Sequence, residues 1–145
     1  DPDMARAVSE GRRREFAAFG WKSEEVPDPE SRETFQRSKL RWNEVDRGSH
    51  AEMLTWCRRL IAFRRGSPSL NDGEPGQTRV EFDEAKRWLV MDRGRVRVFC
   101  NFGDAGAELE SKGDYRLVLK SREEVSLDGQ KVKLPPVALA ILSSE

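Results

Sequence analysis

The chain has 145 residues, enough for one medium domain or two small units. Lys plus Arg and Asp plus Glu both number 26, so the formal charge is zero, and the two halves divide the charges almost evenly. That balance excludes the basic excess of a nucleic-acid domain. Charged residues make up 36% and the mean hydropathy is −0.75, yet four Trp and seven Phe argue against disorder.

No run of about 18 apolar residues is present to span a membrane, and residues 1–20 hold no apolar stretch of the signal-peptide kind. Cys57 and Cys100 lack metal-ligand spacing and lie inside apolar patterns. They read as two reduced, buried thiols of a cytoplasmic protein.

The period is helical before residue 70 and strand-like after it. Asp1-Pro2 reads as an N-cap followed by proline at the first helical position. Gly11 weakens the middle of this segment by about 1 kcal/mol relative to Ala, so one helix and two short ones are both compatible with it. Gly20 reads as the stop. Pro27 and Pro29 interrupt regular structure. A short helix is expected near Arg32–Arg37, with Leu40 and Trp42 anchoring the segment to a body.

"SHAEMLTWCRRLIAFRRG" is the clearest helix. Ser49 and Glu52 have capping-box spacing. Met53, Leu54, Cys57, Leu60 and Ile61, widened by Trp56 and Phe63, form a broad apolar face. Gly66 ends it and Pro68 prevents resumption. From Thr78 apolar residues alternate. Seven or eight short strands are expected, with tight turns at Arg93-Gly94 and Asp128-Gly129. Val96, Val98, Cys100 and Phe102 share one face of a strand, and Arg95, Arg97 and Asn101 the other. The class expected is α+β: helices, then a small all-β sandwich.

No Gly-rich phosphate loop, metal spacing or nucleophile elbow is found, and no cofactor is implied. His50, the single histidine, sits at a helix start, where exposure is expected. The pairs Glu24-Glu25 and Glu123-Glu124 read as solvated surface; a glycosidase pair must face one cleft. The candidate binding residues are Arg12, Arg13 and Arg14, able in principle to bind phosphate or carboxylate. Consecutive helix positions point about 100° apart, so the three cannot form one patch.

"EGRRREFAAFGW", "FQRSKLRW" and "HAEMLTWCRRLIAFRRGSPSL" resemble the C-terminal part of the maltooligosyltrehalose trehalohydrolase family, a branch of the α-amylase family of retaining glycoside hydrolases. The first two stretches carry the specific likeness; the third matches the last barrel helix of the wider family. Residues 78–145 match only in position and strand pattern. The resemblance implies that residues 1–70 are the helical end of a (β/α)8 barrel, a loop excursion plus the last barrel helix. Residues 71–145 would be the C-terminal β-sandwich. The partners implied are an upstream barrel of the same protein and a maltooligosyl trehalose or related α-glucan, with no nucleic acid and no membrane. The family's aspartate nucleophile, glutamate acid/base and second aspartate lie on barrel strands before the matched part, so no catalytic residue is carried over. Loops after barrel strands form the active-site face, which would put Arg12–Trp21 at the cleft rim, its aromatics packed under the loop. The alternative is a free-standing β-sandwich that binds carbohydrate or protein, with Trp88 and Tyr115 as the aromatics to watch.

Overall fold

The structure, a computed structural model, describes residues 1–144, and of Pro75 the backbone alone. The chain forms α+β structure in two compact units, Asp1–Arg47 and the chain from Gly48 onward. The sequence divides at residue 70 on a different ground, the change of period; the helix before that point packs within the second unit.

In the first unit α1 spans Pro2–Ala17 as one helix, running through Gly11. The Asp1 carboxylate accepts the Asp3 N–H at 3.0 Å, satisfying one of the donors a helix start leaves open. The far end closes through Gly20, whose φ of 80° is left-handed. Gly20 N–H donates to the Ala17 carbonyl at 3.0 Å and Trp21 N–H to the Phe16 carbonyl at 3.3 Å. These are the paired bonds of a Schellman motif.

A tight turn at Ser23–Glu25 follows, then α2 at Arg32–Ser38, whose N-cap Ser31 accepts the Glu33 N–H at 3.2 Å. Ser9 on α1 donates its hydroxyl to Asp28 at 2.6 Å, tying the helix to the proline-rich turn. Val26 is the one buried residue among those described in this unit. Leu40 and Trp42, expected as anchors, stand exposed. The reason is geometric: α2 is only seven residues long, and a short helix beside an extended turn encloses no core.

The second unit opens with α3, Gly48–Gly66. Gly48 begins the helix, so Ser49 lies inside the first turn and is not the flanking residue a capping box requires. At the other end the Asn71 amide donates to the carbonyls of Arg64 and Ser67, the latter at 3.0 Å. A side chain five residues past the helix thus satisfies one of its last carbonyls and that of the residue that follows it.

Eight strands follow: β1 Thr78–Asp83, β2 Trp88–Arg93, β3 Val96–Asn101, β4 Ala107–Glu110, β5 Arg116–Lys120, β6 Ser126–Asp128, β7 Lys131–Leu134 and β8 Ala138–Ser143. They form two antiparallel sheets, ordered β1-β2-β3-β8-β5 and β4-β7-β6. Gly94 and Gly129 take positive φ at the two tight turns read from the sequence. At Gly94 a side chain is also sterically barred, since a Cβ would lie 2.6 Å from Ser69 Oγ.

The closing strand β8 is nearly all buried because it inserts between β3 and β5, with side chains packed on both its faces. On one face Val90, Phe99, Ala140 and Leu142 meet Val132 and Leu134 of the smaller sheet. On the other Val96, Leu119 and Ile141 lie under Trp56, Leu60 and Phe63 of α3. Each fully buried side chain of this kind stabilises by roughly 1.5–3 kcal/mol.

Two surfaces remain uncovered. The broad face of α3 divides: Trp56, Leu60 and Phe63 dock on the sheet, while Met53 and Ile61 stay 60% and 52% exposed and Cys57 is exposed beside them. Positions 53, 57 and 61 form a separate i, i+4, i+8 stripe. Strand β1 is also turned about. Val80 and Phe82 pair with Met91 and Leu89 on the α3 side and are 50% and 62% exposed, whereas Arg79 and Glu81 look toward the side of the smaller sheet.

Candidate functional site

The three arginines sit in the last turns of α1, where cations suit the helix dipole. They divide as their angular spacing requires. Arg12 lies 4.4 Å from the Phe16 ring centroid and pairs with Glu15 at 3.2 Å. Arg13 lies near Asp28, whose carboxyl is held below the usual range first by the Ser9 hydroxyl, then by the Glu30 N–H, with a smaller share from Arg13. Arg14 makes no hydrogen bond or ion pair among the described contacts of this unit. The aromatics beside them pack on one another: Phe16 meets Trp21 at 5.1 Å and Phe19 at 6.4 Å, both edge-on. Phe19 itself is exposed.

The remaining candidates behave as surface. Glu25 accepts the Lys22 N–H at 3.0 Å, and Glu123 pairs with Lys120 at 2.9 Å, which lowers the Glu123 pKa. His50 is exposed on α3. Cys57, expected buried, is exposed because it lies on the uncovered stripe of α3. Cys100 is half-buried, and burial raises its thiol pKa. No group of three or more His, Cys, Asp or Glu among the described residues could hold a metal.

The sequence reading missed a polar cluster between the sheets. The face of β3 assigned to Arg97 and Asn101 is not open; it carries Phe99 and looks at the smaller sheet. Arg97 is 4% exposed. Its Nε and one Nη donate to the Asp92 carboxylate, the Nη at 3.1 Å, and the other Nη donates to the Ser111 carbonyl. Asn101 donates to the carbonyls of Ala105 and Pro135 at 2.8 and 2.9 Å and accepts the Gly103 N–H at 2.9 Å. The signal was present: on one strand face Phe99 lies between Arg97 and Asn101, and a buried Phe draws its neighbours inward.

Comparison with known proteins bears on these features. A family model described as a domain of unknown function (DUF3459) matches residues 75–141. The chain is 44% identical over 142 residues to a malto-oligosyltrehalose trehalohydrolase from Rhizobium sp. (strain M-11), covering 98% of this chain and 24% of that protein. It is 41% identical over 145 residues to the protein of that name from Brevibacterium helvolum, covering 99% of this chain and 24% of the relative. It is 37% identical over 142 residues to that from Mycobacterium tuberculosis, covering 98% and 24%. The chain therefore spans about a quarter of the length of these relatives. Over nearly all its residues it is similar to the C-terminal part of the malto-oligosyltrehalose trehalohydrolases.

Proposed function

We propose that the chain is the C-terminal part of a retaining glycosidase that hydrolyses the α-1,4 bond next to the terminal trehalose unit of a maltooligosyl trehalose, releasing trehalose in the cytoplasm. In this reading residues 1–70 end a (β/α)8 barrel, as a loop excursion and the last barrel helix, and residues 71–145 form the accessory β-sandwich. The acid/base and nucleophile carboxylates of a retaining mechanism, about 5–5.5 Å apart, belong to the preceding barrel. Arg12–Trp21 rims its cleft.

The observation that carries the reading is the uncovered apolar surface. Met53, Cys57 and Ile61 on α3, Val80 and Phe82 on β1, and a first unit with one buried residue each lack the packing their composition calls for. Exposed apolar side chains grouped on one helix stripe or one strand face fit a contact with other protein. The similarity to proteins of which this chain spans about a quarter supports the same reading.

The test is trehalose release from a maltooligosyl trehalose. The product of the extended coding sequence is expected to release it and the 145-residue chain is not. Release by the short chain, lost on mutating a carboxylate within it, would overturn the assignment of catalysis to the barrel.

A further inference from the structure

Strand β1 is a sheet edge without the usual guards. An edge presents unpaired N–H and C=O groups to any other strand, and proteins blunt it with short strands, bulges, proline or charge. The two sheets have four edges among the described strands: β1 and β5 in the wider sheet, β4 and β6 in the narrower. β4 and β6 are only four and three residues long. β5 breaks register with β8 between Leu117 and Leu119. β1 runs six residues without proline, and its register with β2 is unbroken from Thr78 to Asp83.

Charge is the guard that remains, and its order along the strand decides what it does. Arg79, Glu81 and Asp83 share one side of β1; Thr78, Val80 and Phe82 share the other. Consider a second copy of β1 running antiparallel, related by a two-fold axis normal to the sheet. Directly opposed residues then project to the same side. A register centred on Arg79 sets two arginines together. One centred on Glu81 sets two glutamates together, and one centred on Phe82 sets Glu81 against Asp83. Only the register centred on Val80 opposes no like charges. It places Arg79 against Glu81 of the second copy twice over, Val80 against Val80, and Thr78 against Phe82. Arg79 is exposed and makes no hydrogen bond or ion pair among the described residues. Glu81 meets Lys112 at 3.2 Å, and a carboxylate has lone pairs for a further donor.

We propose that β1 is a self-association edge, pairing with β1 of a second copy of this chain about a two-fold axis through Val80. The wider sheet would continue from one copy into the other. Such a contact is closed, because the edge is its own complement. Strand pairing runs in the plane of the sheet, whereas Val80 and Phe82 project from it. The contact is therefore additional to the one that the proposed longer protein would make with those side chains, and it does not rest on that reading.

The test is sedimentation equilibrium of the 145-residue chain and its charge variants. The chain is expected to dimerise with Kd of roughly 0.1 mM, since a six-residue edge is a small contact. Arg79→Glu and Glu81→Arg each oppose like charges twice and should each raise Kd about tenfold or more. An equal mixture of the two variants should associate, because each then meets its opposite. The variant carrying both substitutions should regain the original Kd. Recovery in the mixture and in the double variant separates lost pairing from lost folding. A chain still monomeric at about 1 mM, or a dimer that ignores both single substitutions, would overturn the proposal. So would a dimer abolished instead by Ile61→Lys on α3. A double variant that stays monomeric would overturn the register centred on Val80.

Discussion

Trp21 holds Phe16 through both ring and backbone: the ring centroids are 5.1 Å apart at 75°, and the Trp21 N–H donates to the Phe16 carbonyl at 3.3 Å. The two contacts are possible together only because Gly20, between them, adopts a left-handed conformation. Open space surrounds the position where a Cβ would stand at Gly20, and the same holds at Gly11. Substitution at either therefore reports backbone preference alone. Gly20→Ala should destabilise the helix end by about 1–2 kcal/mol. Gly11→Ala, inside α1, should stabilise the helix by about 1 kcal/mol. Amide exchange across α1 would register the opposite signs; equal signs would mean that the cap is not formed.

The arginines should separate along the lines the structure draws. Arg12→Ala removes the cation from the Phe16 ring and the pair with Glu15, so it should loosen the aromatic cluster and lower the melting temperature of the proposed longer enzyme. If the stretch rims the proposed cleft, Arg14, exposed and without a described partner in its unit, is the arginine expected to reach a substrate hydroxyl. Arg14→Ala should lower kcat/KM at least about tenfold with the melting temperature unchanged. Kinetically silent Arg12→Ala, Arg13→Ala and Arg14→Ala would together return the stretch to plain surface.

Asp28 couples the first unit to pH. Its carboxyl is held below the ordinary aspartate value of about 3.9 because Ser9 and Glu30 donate to the ionised form. A depressed folded pKa contributes stability that is present above the unfolded value and lost as pH falls through the folded one. The α1-to-turn contact should therefore weaken only below about pH 4. A carboxyl-carbon NMR titration should give a low midpoint that rises in Ser9→Ala. An unmoved midpoint would show that the hydroxyl does not set it.

Adjacent residues of α3 should respond unequally. Leu60 packs on Val96, Leu119 and Ile141, so Leu60→Ala should cost about 2–5 kcal/mol in denaturant titration. Ile61, one position on, is half exposed, and Ile61→Ala should cost well under that in the 145-residue chain. Cys57 gives the complementary readout. It should alkylate readily in this chain, faster than Cys100, whose burial raises its pKa. In the proposed longer protein it should be shielded. Equal reactivity of Cys57 in both would argue that nothing covers the stripe.

What could be read from the sequence was local. The Asp1-Pro2 start, the Gly20 stop and the turns at Gly94 and Gly129 follow from single-residue chemistry, and each is found. The strand count follows from period two. What could not be read depended on partners distant in the chain. Phe99 between Arg97 and Asn101 hinted that their face turns inward, but which groups would meet them there depends on the smaller sheet and the loops distant in the chain. Cys57 belongs to an apolar helix face, but the choice of 56, 60 and 63 as the docked stripe is made by the sheet. For the arginine stretch, angular spacing foretold the separation but not which residue would find Phe16.

Strand β1, with Val80 and Phe82 outward and Arg79 and Glu81 inward, makes the sign of a mutation depend on how much of the protein is present. In the 145-residue chain Phe82→Lys removes an adhesive edge and should keep the chain monomeric at higher concentration. In the proposed longer protein the same lysine would meet a contact surface without a partner charge and should lower yield. A selection for solubility run on the short chain would thus enrich for the variants that the long one tolerates least.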